Sequence, residues 1–155
     1  MFREPRRKDR AITDEECIQI LNEQTYGVLA TYGEDGYPYG VPVNYAYIDN
    51  KIYFHGKLGF SHRNDNMRYC PNVCFTVVGS STVLPEKFSC DFSSVILYGK
   101  ARELEGDEKK DAFIKMLERI VPEYMDIARI KVEKGAATTG VYAIDIAHMT
   151  GKRRK

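Results

Sequence analysis

The chain has 155 residues, of which 43% are hydrophobic and 29% charged. That is enough for one folded domain with a real core, and the balance is ordinary for a water-soluble protein. A formal net charge of +1 excludes nucleic-acid binding by bulk charge. No apolar run approaches the ~18 residues of a membrane span, and the start MFREPRRKDR is charged throughout, so the expectation is a cytoplasmic protein with no membrane partner.

In chain order, residues 1–12 read as a basic tail. Thr13 to Gln24 is predicted as a helix, with Thr13 and Glu16 as a capping box and Cys17, Ile20 and Leu21 as its apolar stripe. YGVLATY (26–32) is strand-like, GEDGYP is turn chemistry, and YGVPVNYAYI (39–48) alternates. Asp49-Asn50 is a two-residue hairpin signal with KIYFHG (51–56) as partner, so the three strands should form a meander. Ser61 to Tyr69 is a short helix with Ser61 at its N-cap and Pro71 at its end.

NVCFTVVG (72–79) is an apolar strand, residues 80–90 a loop with Pro85, and 91–105 a long strand in which Gly99 marks a bulge or a close approach. Asp107 is expected to cap a helix whose Ala112, Phe113, Met116, Leu117 and Ile120 share a face, ended by Pro122. The last strand is TGVYAIDIA (139–147), followed by a second basic tail over 149–155. The sum is a single domain over 1–155, mainly β, with about six strands joined by short connections: an antiparallel barrel with peripheral helices. A barrel this small fills its own interior, so a sizeable ligand belongs in a groove or between subunits.

The chemistry concentrates in YFHGKLGFSHRND (53–65). His55, His62 and His148 have no metal-ligand spacing, Cys17, Cys70, Cys74 and Cys90 form no C-x-x-C pair, and no metal is expected. The cysteines read as free, mostly buried thiols. Ser61 lies in no nucleophile elbow. A phosphate cradle accounts for more of the residues: Gly56 and Gly59 let backbone approach a ligand, Ser61 opens a helix, and Lys57, His62 and Arg63 add charge. The competing reading, an exposed polar turn, stands beside it. The adjoining strands carry Tyr32, Tyr37, Tyr39, Tyr45, Tyr47, Tyr53 and Phe54, and Pro42 in VPVNY removes a ladder donor. Exposed backbone of that kind can hydrogen-bond the rim of a flat heterocycle.

RRKDR, YGVLATYGEDGYPYGVPVNYAY, IYFHGKLGFSHRNDN, NVCFTV, FSSVILYGKARELE and TGKRRK, in that order, resemble the FMN-binding split-barrel proteins related to pyridoxamine 5'-phosphate oxidase, in the branch of the Nim-type nitroimidazole-resistance proteins. The resemblance implies a six-stranded antiparallel split β-barrel, acting as a homodimer with FMN (or FAD) in grooves between subunits. Carried onto this sequence, Pro42, Val43 and Asn44 line the flavin ring. His55, Gly56 and Lys57 follow the ribityl chain and ring, and Ser61, His62 and Arg63 hold the phosphate. Ser93 and Ser94 approach the flavin, from the second subunit on one reading. Relatives commonly carry lysine where Arg63 stands and a small residue where Lys57 stands. The implied activity is an FMN-dependent oxidoreductase, flavin reductase or nitroreductase-like, moving electrons from transiently bound NAD(P)H to a small acceptor, with His55 as candidate acid–base residue. The alternative is a non-enzymatic flavin- or haem-binding protein on the same fold.

Overall fold

The computed structural model describes residues 2–154. After a 3-10 turn at Lys8–Arg10 come β1 (Ala11–Ile12), α1 (Asp14–Glu23), β2 (Tyr26–Tyr32), β3 (Pro38–Asn44), β4 (Ala46–Ile48), β5 (Lys51–Lys57), α2 (His62–Tyr69), β6 (Asn72–Leu84), β7 (Ser89–Glu103), α3 (Gly106–Ile120), α4 (Met125–Gly135) and β8 (Thr139–Arg154). All ladders are antiparallel, in the order β3-β2-β6-β7-β8-β5-β4, with β1 added to β8.

The two ends of that path, β3 and β4, are separated in the chain by Tyr45 alone. One bent stretch, 38–48, therefore closes the sheet into a barrel. The expected meander is corrected: β2–β3 and β4–β5 are hairpins at opposite ends of the path, and β3 does not pair with β5. Tyr45 forms the corner. Its ring is buried edge-on to Phe75 at 5.2 Å, and its hydroxyl donates to the Leu21 carbonyl at 2.8 Å. Pro42 is tolerated because β3 pairs on one side only. Asp49 and Asn50 both adopt positive φ, as the tight β4–β5 turn requires.

Inward positions of the strands alternate into one core: Leu29, Ile52, Phe54, Phe75, Val77, Val95, Leu97, Tyr142 and Ile144 are buried. Helix α1 starts at the expected capping box and presses Cys17, Ile20 and Leu21 onto this core. Gly151 permits the approach, since a Cβ there would run into Cys17 Sγ. A smaller cluster, with Met116, Leu104, Val141 and Ala143, lies under α3 on the outer side of the barrel wall.

Several boundaries move. Residues 80–84 are strand, paired with Ser89–Ser93 after a bulge between Val78 and Ser80, because a hairpin arm can be polar on both faces when neither is covered. The register of β7 on β8 shifts at Tyr98/Gly99, where a Cβ would collide with the Asp145 carbonyl, as Gly99 led one to expect. Helix α3 begins at Gly106 behind Glu105, so Asp107 sits in the first turn and meets the helix dipole without capping. The basic C-terminal segment is not a tail over its described residues, and the N-terminal one is anchored at its inner end. Residues 149–154 continue β8 against β7 from Leu97↔Met149 to Phe92↔Arg154, and Ala11 pairs with Lys152. Arg153 forms an ion pair with Glu16 at 2.5 Å. Lys155 lies outside the described residues. Of the four thiols, only Cys17 is fully buried.

Candidate functional site

Strand β5 ends at Lys57, and the chain reverses through Gly59 at φ +105, a conformation that L side chains resist. Asn64, buried in the first turn of α2, donates through Nδ2 to the Gly59 carbonyl at 2.9 Å and so fixes the loop. Ser61 caps α2: its Oγ accepts from Asn64 N–H at 3.2 Å, and its carbonyl accepts from Asp65 N–H at 2.9 Å. The N–H groups of His62 and Arg63 remain, at the positive end of the helix, where intrahelical geometry cannot satisfy them. Buried Asn66 donates to Thr31 Oγ1 at 3.1 Å, and Thr31 in turn donates to the Tyr39 carbonyl at 3.3 Å, which ties α2 to β2 and β3. Sequence reading passed over both asparagines. The available signal was their presence inside a helix, where asparagine is a poor former and needs a tertiary role.

Arg63 reaches back from α2 over the end of β5. A Cβ on Gly56 would lie 2.5 Å from Arg63 Nη2, so glycine is what lets the guanidinium lie across the strand. The guanidinium sits 5.2 Å over the Phe54 ring and 5.5 Å over the Tyr142 ring, and Nε donates to Asn64 Oδ1 at 3.3 Å. Among the described residues it has no carboxylate partner. Beside it the Tyr142 hydroxyl is buried, with the Asn64 side chain near it but no hydrogen bond of good geometry. Burial pushes that phenol above its ordinary pKa, so it stays a neutral donor. An unpaired guanidinium, an unused hydroxyl and two helix-start N–H groups together fit an anion with several acceptor oxygens.

The other expected residues do not all converge there. His62 turns the opposite way, stacked on Tyr39 at 4.1 Å with Nε2 3.7 Å from Asp35 Oδ2. Lys57 is exposed at the end of β5 and makes no ion pair among the described residues. His55 lies on the opposite side of β5 from the core residue Phe54, with its ring 5.1 Å from Phe113 of α3. The His55 side chain is exposed on that side; partial desolvation by its neighbours first, and the Arg63 charge second, lower its pKa below the ordinary histidine value, which favours the neutral imidazole. Pro42 and Asn44 are exposed on β3, whereas Val43 points into the core and offers a ligand only backbone. The pleat of β7 divides Ser93, buried with its hydroxyl 2.9 Å from that of Ser80, from Ser94, which faces a groove beside Arg3 and Lys152. Among the described residues no three His, Cys, Asp or Glu side chains converge as a metal-binding group, and no helix is long and apolar enough to cross a membrane.

Comparison with known proteins agrees with this architecture. The chain is 31% identical over 142 residues to a 5a,11a-dehydrotetracycline/5a,11a-dehydrooxytetracycline reductase of Streptomyces rimosus, covering 88% of this chain and 95% of that one. Its fold is similar to a candidate 5-nitroimidazole antibiotic resistance protein of Bacteroides thetaiotaomicron (TM-score 0.70, 20% identity, 92% of this chain and 86% of the other). It is also similar to an FAD and haem binding protein of Mycobacterium smegmatis (TM-score 0.81, 19% identity, 92% and 72%). Residues 13–153 match the family described as Pyridoxamine 5'-phosphate oxidase. With the closed antiparallel barrel and these matches, the chain belongs to the pyridoxamine 5'-phosphate oxidase family, on the split-barrel fold.

Proposed function

We propose that the protein is a homodimeric flavin-dependent oxidoreductase that passes electrons from a reduced nicotinamide to a small organic acceptor. The observation that carries this is the corner formed by Arg63, Gly56, Tyr142 and the start of α2: a half-buried cation with no carboxylate partner, next to a buried hydroxyl without a bond of its own. It suits the phosphate of FMN. Pro42, Asn44 and the free backbone edge of β3 would take the ring, and Lys57 would flank the phosphate from β5. Bound there, FMN would supply the redox chemistry. The chain's own part is to hold and orient it, and to present His55 as a neutral imidazole able to donate or accept one proton.

The outer barrel wall supports the dimer reading. The rows Pro42–Val28–Thr76–Ile96–Thr150 and Gly40–Ala30–Cys74–Tyr98–His148 run in register across five strands. Val28, Val78 and Tyr98 leave 39%, 55% and 38% of their surface exposed there, and a second copy is the natural cover for such a face. Similarity to a tetracycline-derivative reductase supports a reductase reading over an oxidase. The test is the visible spectrum of purified protein with and without NADH or NADPH. Flavin bands bleached by one nicotinamide are expected; a protein that takes up neither FMN nor FAD on titration defeats the proposal.

A second reading, a non-enzymatic haem-binding protein, draws on His148. Its Nε2 is buried without a partner and its ring stacks on Phe2 at 4.8 Å. That reading requires a Soret band on haem titration which His148→Ala removes.

A further inference from the structure

On the outer side of β5, opposite the barrel interior, α3 and α4 line a cavity of about 500 Å³, of which the flavin reading uses only the His55 wall. Its volume lies in the range of small-molecule sites, ~300–1,000 Å³. The walls are Phe113 and Leu117 from α3 and Ala128 and Val132 from α4; every lining residue except His55, Lys131 and Thr139 is apolar or aromatic. Tyr124, in the turn before α4, and Ile127 of α4 stand at the lining with 63% and 56% of their surface exposed. No carboxylate lines the cavity, and Lys131 has no ion pair among the described residues. The wall nearest the cradle is His55, adjacent in β5 to the glycine beneath Arg63.

We propose that this cavity binds a largely apolar organic anion of small-molecule size, with its apolar body against Phe113 and Leu117 and its negative group at Lys131. Apolar walls give such a molecule most of its affinity, and one unpaired ammonium in a mostly apolar surround gives it charge selectivity. A neutral His55 at the inner end adds a hydrogen bond without repelling or attracting charge. That this ligand is the electron acceptor rests on the flavin reading; that it binds here does not.

The test uses purified full-length protein, 2-naphthoate and its neutral counterpart 2-naphthalenemethanol, each titrated calorimetrically at low salt. Wild type should bind the naphthoate about tenfold more tightly than the alcohol. Lys131→Gln should remove that preference and leave the alcohol unchanged. Leu117→Trp, which fills the cavity, should weaken both at least tenfold, while FMN affinity, titrated on the same samples, stays within twofold in both variants. Lys131→Gln alters an exposed side chain, so its result stands even if Leu117→Trp melts early. Equal binding of the two probes to wild type, or probe binding that survives Leu117→Trp in a folded protein, overturns the proposal. So does a Leu117→Trp variant whose only change is in oligomeric state, which would assign the cavity to a protein contact. If FMN fails to bind while the naphthoate pattern appears, the flavin reading falls and the cavity assignment stands.

Discussion

Replacing Arg63 by alanine separates a cofactor cradle from a decorative cation. The substitution removes a guanidinium packed over two rings, at 5.2 and 5.5 Å. At ~0.5–1 kcal/mol for each such contact the folded state loses about 1–2 kcal/mol. Against this, a half-buried cation without a carboxylate no longer has to be desolvated, which returns a large part of that loss. The net change in stability is therefore expected to be at most about 1.5 kcal/mol, read as a shift in the urea midpoint at constant slope. FMN binding should suffer more. A hydrogen bond to a charged group contributes ~1.5–3 kcal/mol, so the dissociation constant should rise about ten- to one-hundred-fold by fluorescence-quenching titration. Arg63→Lys keeps the charge but loses the two-pronged geometry, and should fall between. A third readout is independent of cofactor. The Arg63 charge helps to lower the His55 pKa, so removing it should raise that pKa by NMR titration, though not fully to the ordinary value, because desolvation is the larger cause. FMN affinity within twofold of wild type, together with an unmoved His55 resonance, would refute the placement of Arg63 in the site.

His55 also links stability to pH. Its folded-state pKa is lowered, so the unfolded chain binds more protons near the ordinary histidine pKa of ~6.5, and stability should fall as pH drops below that value. His55→Gln should flatten this slope in urea midpoints measured between pH 7.5 and 5.5. Tyr45→Phe deletes the 2.8 Å bond to the Leu21 carbonyl at the barrel corner and should cost about 1–2 kcal/mol, seen as a lower thermal midpoint with FMN affinity intact. Deleting residues 149–155, harmless for a tail, removes strand pairing to both β7 and β1. Loss of soluble, cooperatively melting protein is expected, and normal melting would show that the β8 extension is dispensable.

The helices and hairpins governed by local chemistry were legible in the sequence. The capping box at Thr13, the Ser61 cap and the Asp49-Asn50 turn depend on residues near one another in the chain, and all stand in the structure; the Gly99 irregularity was legible from the glycine itself, although its partner, Asp145, is distant in sequence. What escaped depends on partners far away. Residues 149–154 look like a charged tail because Lys152, Arg153 and Arg154 are read one at a time; β7 and Glu16 make them a strand. Helix α4 carries Met125, Ala128 and Val132 at helical spacing, but behind Pro122 that stripe is short and two of its isoleucines face solvent. In the site, the sequence grouped His55, Lys57, His62 and Arg63 by proximity. The strand pleat and the first turn of a helix send them in different directions, and only Arg63 ends beside the unbonded hydroxyl of Tyr142, 79 positions further along the chain.

The single-residue corner at Tyr45 constrains how the barrel breathes. Because β3 and β4 are one bent stretch that carries the two outermost ladders, neither hairpin can peel away without pulling on the other. Their amides should exchange with solvent as one cooperative unit, at a common opening free energy, whereas the exposed β6–β7 arm beyond Ser80 should exchange early and by itself. Hydrogen–deuterium exchange would then see a single clasp where the chain order suggests two separate hairpins. That clasp runs through Pro42 and Asn44, so whatever docks on β3 would slow exchange in β5 as well.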